Sequence, residues 1–267
     1  MKTRALSGII FVIVVVSAIV FSSWSLALLF LIISAVGLNE FYQLTSNEHQ
    51  SPQGFLGILT GIALYVLAYI TIINYWIIDS FLIGFITFSL IVLVELFRKK
   101  KNPGANISLT IFGIVYVVLS FSILNVIANH DGIYSYQIPL GILILIWTSD
   151  TFAYLVGRQF GKHKLLERLS PKKTWEGYLG GIVFSLLAGY ILSRFYTELD
   201  TTQWMVLATI TGVFGTAGDL VESMFKRSAG VKDSGNIMPG HGGVLDRFDS
   251  LIFILPLIFF YLKVWVW

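Results

Sequence analysis

Residues 5–38 read ALSGIIFVIVVVSAIVFSSWSLALLFLIISAVGL, one apolar block longer than a single membrane crossing uses. A spanning helix needs about twenty mostly apolar residues, so the block divides into two helices at the polar run Ser22, Ser23, Trp24, Ser25. That division sets the number of crossings, and with it the side of the membrane on which every later loop falls. Lys2 and Arg4 precede the block as they would in a secretory leader. No A-x-A cleavage pattern follows, however, and apolar sequence continues at once, so the first helix is expected to be retained.

The same measure applied onward places helices at 5–22, 24–38, 55–73, 76–97, 107–127, 139–156, 178–195, 204–225 and 251–267, about nine in all. The 267 residues are 56% hydrophobic and 12% charged, with a mean hydropathy of +0.80; a soluble domain carries roughly twice that charged share. No interval between apolar runs is long enough to bury a core of its own. The expected fold class is therefore all-α, a single polytopic membrane unit. Cysteine is absent, which excludes disulfides, thiolate metal sites and cysteine nucleophiles.

Orientation follows from the basic residues, which concentrate on the cytoplasmic side of membrane proteins. With the N-terminus in the cytoplasm, the inner side receives sixteen: Lys2, Arg4, Arg98, Lys99, Lys100, Lys101, Arg158, Lys162, Lys164, Arg168, Lys172, Lys173, Lys226, Arg227, Lys232 and Arg247. The outer side receives two, Arg194 and Lys263. Trp24, Trp76, Trp204, Trp265 and Trp267 fall at outer ends, where indoles favour the headgroup zone. An odd helix count puts the C-terminus outside. No internal repeat supports an inverted-repeat transporter.

The two halves differ in charge. Helix interiors are nearly free of charge up to about residue 136, whereas Asp150, Asp219 and Glu222 lie within or near later spans. Residues 1–137 are expected to form a scaffold with possible dimer contacts, and residues 138–267 the catalytic half. An acid at membrane depth costs roughly 2.5–3.5 kcal/mol on insertion scales, so it faces a polar cavity or a partner.

In TAGDLVESMFKRSAGVKD, residues 216–233, Asp219, Ser223, Lys226 and Arg227 recur at i, i+4, i+7 and i+8, and Glu222 borders them. One helical face thus presents an acid, a hydroxyl and two cations. Gly212, Gly215 and Gly218 precede that face at spacings of three, which reads as close helix packing. A loop rich in glycine follows: Gly230, Gly235, Gly240, Gly242 and Gly243, with Pro239. Such a loop is either a phosphate cradle of backbone N–H groups or simply a turn.

In GHGGVLDRFDS, residues 240–250, Asp246 and Asp249 share a face at the start of the last helix, and His241 is either a phosphate or orienting contact or a plain loop residue. The earlier loop 157–177 holds six basic residues, and SPKKTWEG within it sets Lys172 and Lys173 at a helix start. The run FRKKKNPG, 97–104, has no acids or glycine loop around it and reads as topology and anionic-lipid contact.

Acids at a membrane–water boundary bind hard cations such as Mg2+, while lysine and arginine neutralise phosphate oxygens. No Walker A lysine loop, Gly-x-Ser-x-Gly elbow or His-Glu-x-x-His is present. Metal-assisted phosphoryl or nucleotidyl transfer fits this set best. A secondary transporter of an anionic solute and a lipid kinase are the competing readings, and nucleic acid is not an expected partner.

SMFKRSAGVKDSGNIMPGHGGVLDRFD, residues 223–249, resembles the phosphatidate cytidylyltransferase (CDP-diacylglycerol synthase) family, whose pattern runs Ser, Lys-Arg, Lys-Asp, His-Gly-Gly, Asp-Arg-x-Asp. Met238 replaces an expected Ile, Leu or Phe. The resemblance extends to SDTFAYLVGRQFGKHKL from Ser149 and to SPKKTWEG, so it covers roughly the second half.

The resemblance implies an integral membrane enzyme that joins CTP and phosphatidic acid into CDP-diacylglycerol and pyrophosphate among membrane lipids. It implies a divalent metal such as Mg2+, and it suggests a homodimer; a second metal ion is also possible. By it, Asp219, Lys226, Asp246 and Asp249 are expected to be catalytic, with Asp219, Asp246 and Asp249 on the metal. Ser223, Arg227, Lys232, Arg247, His241, Lys172 and Lys173 are expected at substrate phosphates, with Asp150, Glu222 and Asp233 as further candidates. The expected location is a bacterial inner (cytoplasmic) membrane, with the site facing the cytoplasm.

Overall fold

The computed structural model describes residues 2–74, 80–235 and 242–267. Among these, each expected apolar stretch is helical: α1 (Lys2–Phe21), α2 (Ser23–Thr45), α3 (Gly54–Asn74), α4 (Ser80–Arg98), a run from α5 (Pro103–Gly113) to α6 (Ser120–Ala128), α7 (Gln137–Phe160), α8 (Trp175–Phe195), α9 (Thr201–Ser228) and α10 (Leu245–Trp265). Seven helical runs among the described residues are long and apolar enough to cross a membrane: α2, residues 54–72 of α3, Pro103–Ala128, α7, α8, α9 and α10. The chain is a polytopic helical membrane protein. Trp76 lies outside the described residues.

The break after α1 falls at the expected serines for a local reason. Ser22 turns extended, its Oγ accepts from Ser25 N at 3.1 Å, and Ser25 Oγ accepts from Ser22 N at 3.0 Å. This reciprocal capping box satisfies donors that a new helix leaves unpaired. Helix α2 then runs seven residues past the expected end at 38, because Phe41 and Tyr42 continue its buried face. Between α5 and α6 the backbone widens into a π-helical segment, Ile114–Leu119, without leaving the helical run.

The residues divide into two compact units, one comprising Met1–Tyr134 with Asp233–Leu245, the other Ser135–Lys232 with Asp246–Trp267. The first unit packs α2, α3 and the α5–α6 run around Phe30, Phe41, Leu38 and Phe121, all fully buried. Its interior is less free of charge than expected, since Glu40 and Glu95 are only 2% and 4% exposed. Glu95 is satisfied by Gln53, Asn106 and Arg98 at 2.7–2.8 Å.

The second unit is held by close approach of glycines. A Cβ on Gly177 of α8 would meet Ala153 O of α7 at 2.6 Å, and one on Gly212 of α9 would meet Ile182 Cα of α8 at 2.9 Å. A Cβ on Gly218 of α9 would lie 2.6 Å from Asp249 O and 2.9 Å from Ser250 Cα of α10. The glycine spacing in α9 is therefore a packing device, as read. Trp204 is fully buried against Gly141 and Tyr196, so it anchors the helix interior and does not reach for headgroups; Trp24 and Trp265 are exposed.

One element departs from the all-helical expectation. Lys164–Leu166 (β1) and Ser170–Thr174 (β2) form an antiparallel hairpin, so Lys172 and Lys173 lie on a strand ahead of α8, which begins at Trp175, three residues before its expected start. Thr174 Oγ1 caps α8 by accepting from Gly177 N at 3.2 Å. Glu176 accepts from Lys162 N at 3.1 Å and faces His163 Nδ1 at 2.6 Å, closing the hairpin against the helix.

Candidate active site

Three elements of the second unit bring the site together. Lys173 comes from β2, Asp219, Glu222, Ser223 and Lys226 come from α9, and Asp246 and Asp249 come from the first turns of α10. That helix begins at Leu245, six residues before its expected start, which places both aspartates inside the helix rather than ahead of it. Gly218 lets α9 and α10 approach closely, and Ser250 Oγ donates to Gly215 O at 3.0 Å.

Two lysines organise the acids. Lys226 Nζ lies 2.6 Å from Asp246 Oδ1 and pairs with Glu222 one turn back on its own helix. The side chains of Glu222, Asp246 and Lys226 are 2%, 8% and 11% exposed. Charges that far from water persist only when paired. Lys173 Nζ stands 2.8 Å from Asp219 Oδ2, whose other oxygen accepts from Ser223 Oγ at 3.3 Å. Asp150 of α7 and Asp249 both interact electrostatically with Asp219 and Lys173. Asp249 also interacts electrostatically with Glu222, which links the two groups by charge.

The expected residues do not all join these groups. Glu222, read as a border residue, sits at the centre. Arg227 turns away: its Nη1 donates to Val231 O at 2.8 Å beyond the end of α9. At 3.6 residues per turn it stands about 80° around the helix from Asp219, whereas Lys226 stands nearly in line with it. Lys172 alternates to the opposite side of its strand from Lys173 and is exposed, as are Lys232, Asp233 and Arg247. His241 and Met238 lie outside the described residues.

The donor set can be tested against a metal. Among the described residues no three carboxylate or imidazole groups converge as a ready cation cage; Asp219 and Asp246 each hold a lysine instead. The network nevertheless sets five carboxylates against two ammonium groups. Its donors are hard oxygens, the kind that Mg2+ takes. The donor chemistry suits a hard divalent ion, although these oxygens are not gathered around one point.

Glu40, two residues beyond the expected helix end at 38, takes a prominent place in the first unit. Its carboxylate accepts from Ser234 Oγ at 3.0 Å and from the N–H groups of Val244 and Leu245 at 2.9 Å each. Gly235 and Gly243 lie against it so closely that neither has room for a Cβ. These two glycines of the loop thus make space for a carboxylate of the protein itself. A single acid at the end of an apolar run was the only signal of it in the sequence.

Known proteins resemble this chain over nearly its whole length. Residues 2–265 match the family model described as "Cytidylyltransferase family". A phosphatidate cytidylyltransferase of Staphylococcus haemolyticus is 33% identical over 261 residues, covering 97% of each chain. Those of Staphylococcus saprophyticus and Staphylococcus aureus are 35% and 33% identical over the same share. A match that runs almost from end to end, through both units, means that this chain belongs to the cytidylyltransferase family.

Proposed function

We infer that this chain is a nucleotidyltransferase that moves CMP from CTP to phosphatidic acid, giving CDP-diacylglycerol and pyrophosphate in phospholipid biosynthesis. The observation that carries the reading is the match to phosphatidate cytidylyltransferases across 97% of both chains. The lysine–carboxylate network in a membrane-embedded unit supplies chemistry that suits it.

In the reaction a phosphate oxygen of phosphatidic acid attacks the α-phosphorus of CTP. The new P–O bond forms as the bond between the α-phosphorus and its bridging oxygen to the β-phosphorus breaks, and pyrophosphate leaves with that oxygen. The lipid brings its own nucleophile, so no covalent enzyme intermediate is needed; the protein positions and neutralises. Lys226 and Lys173 present ammonium groups to phosphate oxygens, each held in place by the acids beside it, and Ser223 donates a hydrogen bond. Arg247, Lys232, Lys172, Arg227 and His241 are the outer candidates for contacts with the triphosphate. Asp219, Asp246 and Asp249 would hold Mg2+, whose charge neutralises the reacting phosphates, with Asp150 within electrostatic reach.

CTP is water-soluble and the lipid tails stay in the bilayer, so the site serves both phases. The distribution of basic residues supports placing it at the cytoplasmic face of a bacterial inner membrane. Resemblance to the family supports a homodimer, to be checked by mass in detergent.

The decisive experiment incubates purified protein with phosphatidic acid, Mg2+ and CTP labelled at either the α- or the γ-phosphate. The α label is expected in CDP-diacylglycerol and the γ label in pyrophosphate. Transfer of γ label to lipid would make the protein a lipid kinase. Counterflow of solute in sealed vesicles without CTP consumption would make it a transporter.

A further inference from the structure

We propose that Glu40 is a positioning residue, a carboxylate clip that closes the neck of the α9–α10 connection and thereby sets the first turn of α10; the inference rests on the function proposed above. Three observations carry it. Glu40 is 2% exposed and both its oxygens accept: Oε1 from Val244 N, and Oε2 from Leu245 N and Ser234 Oγ. Ser234 enters the connection and Val244 and Leu245 leave it, so one side chain gathers both ends of the loop. The fit is also sterically exclusive, since a Cβ on Gly235 would come within 2.6 Å of Glu40 Oε1, and one on Gly243 would come nearer still to both oxygens.

A packing role alone does not call for this residue. A buried carboxylate carries a large desolvation cost that a neutral side chain avoids. What the carboxylate provides is two acceptors on one rigid plane, aimed at two consecutive backbone N–H groups at the start of a helix, where donors are unpaired and negative charge is favoured. Consecutive amides bonded to one group fix both the height and the rotation of that first turn. Asp246 follows Leu245 directly and Asp249 lies one turn further on the same helix.

Glu40→Gln in the full-length protein is the test, because a carboxamide must turn its NH2 toward one of the backbone donors and leave it unsatisfied. The expected result is a folded variant in which the Val244 and Leu245 amides exchange faster with solvent. Its kcat for CDP-diacylglycerol formation should fall by about tenfold or more, with the KM for phosphatidic acid within about twofold of the parent. Amide exchange and kcat equal to the parent's would overturn the clip, as would an activity loss matching only the fraction of protein that unfolds. If Glu40→Gln does not fold, Glu40→Asp, which keeps the charge but falls short of the donors, is read by the same two measurements. A parent protein that makes no CDP-diacylglycerol would defeat the proposed function instead, and the exchange rates would still decide whether the clip exists.

Discussion

Lys173 Nζ lies 2.8 Å from Asp219 Oδ2, which ties the strand end of the β1–β2 hairpin to the polar face of α9. The pair is partly open, with side chains 26% and 36% exposed, so substrate can reach it. Removing the ammonium group leaves Asp219 beside Asp150 and Asp249 with no compensating charge from the hairpin. Lys173→Met is expected to keep its fold and lose about tenfold or more in kcat, one charge-assisted contact being worth that much. Because the cluster becomes more acidic, half-saturation with Mg2+ should shift to a lower concentration. Steady-state rates across a Mg2+ titration check both signs.

Lys226 differs because it is buried between Glu222 and Asp246. Its removal strands two acids away from water, a change that costs about 3–5 kcal/mol when a buried pair loses one partner. Lys226→Met should therefore unfold at a markedly lower temperature in detergent. Adding Glu222→Gln removes one stranded charge and should recover much of that stability without restoring activity. Thermal melting alongside product formation separates the two effects.

Gly218 tests the packing that brings α9 and α10 together. A methyl group there meets Asp249 O, Ser250 Cα and Phe253 Cβ within 2.9 Å, and two of these atoms are backbone and cannot rotate aside. Gly218→Ala is expected to cost about 1–3 kcal/mol by overpacking and to depress activity by displacing Asp249. Gly104→Ala, with nothing within 4 Å of its added carbon, is the control and should leave both unchanged.

Asp219→Asn keeps an oxygen that can accept from Ser223 but discards the charge. Loss of CTP-dependent product by about a hundredfold or more is expected, in line with removal of a charged group at a phosphoryl-transfer centre. Chelation of divalent ions should abolish the parent's activity and Mg2+ should restore it. Near-normal turnover of Asp219→Asn at saturating Mg2+ would remove Asp219 from the metal.

Much of the fold was legible residue by residue. Helices α3, α7, α8 and α9 begin and end within three residues of the expected bounds at 55–73, 139–156, 178–195 and 204–225, except that α7 runs four residues further at its C-terminal end. The hairpin was missed because SPKKT has no alternation of apolar and polar residues, and its pairing is maintained by Glu176 bonding back to Lys162 and His163. The acids of α9 were legible because charge within an apolar helix is conspicuous. Arg227 was grouped with the Asp219 face by its i+8 spacing, but that spacing leaves it about 80° around the helix, and its guanidinium reaches Val231 at the helix end.

Hydropathy, basic-residue bias and the 223–249 motif are local properties, and by themselves they carried the reading of a polytopic helical membrane protein resembling the phosphatidate cytidylyltransferases. Which charge meets which partner was decided only by tertiary structure. The pairing of Lys226 with Asp246, of Lys173 with Asp219, and of Glu40 with residues far along the chain depends on helix rotation and on approach distances of a few ångströms. Those distances are set where glycines allow backbones to touch, and one-dimensional patterns do not carry that information.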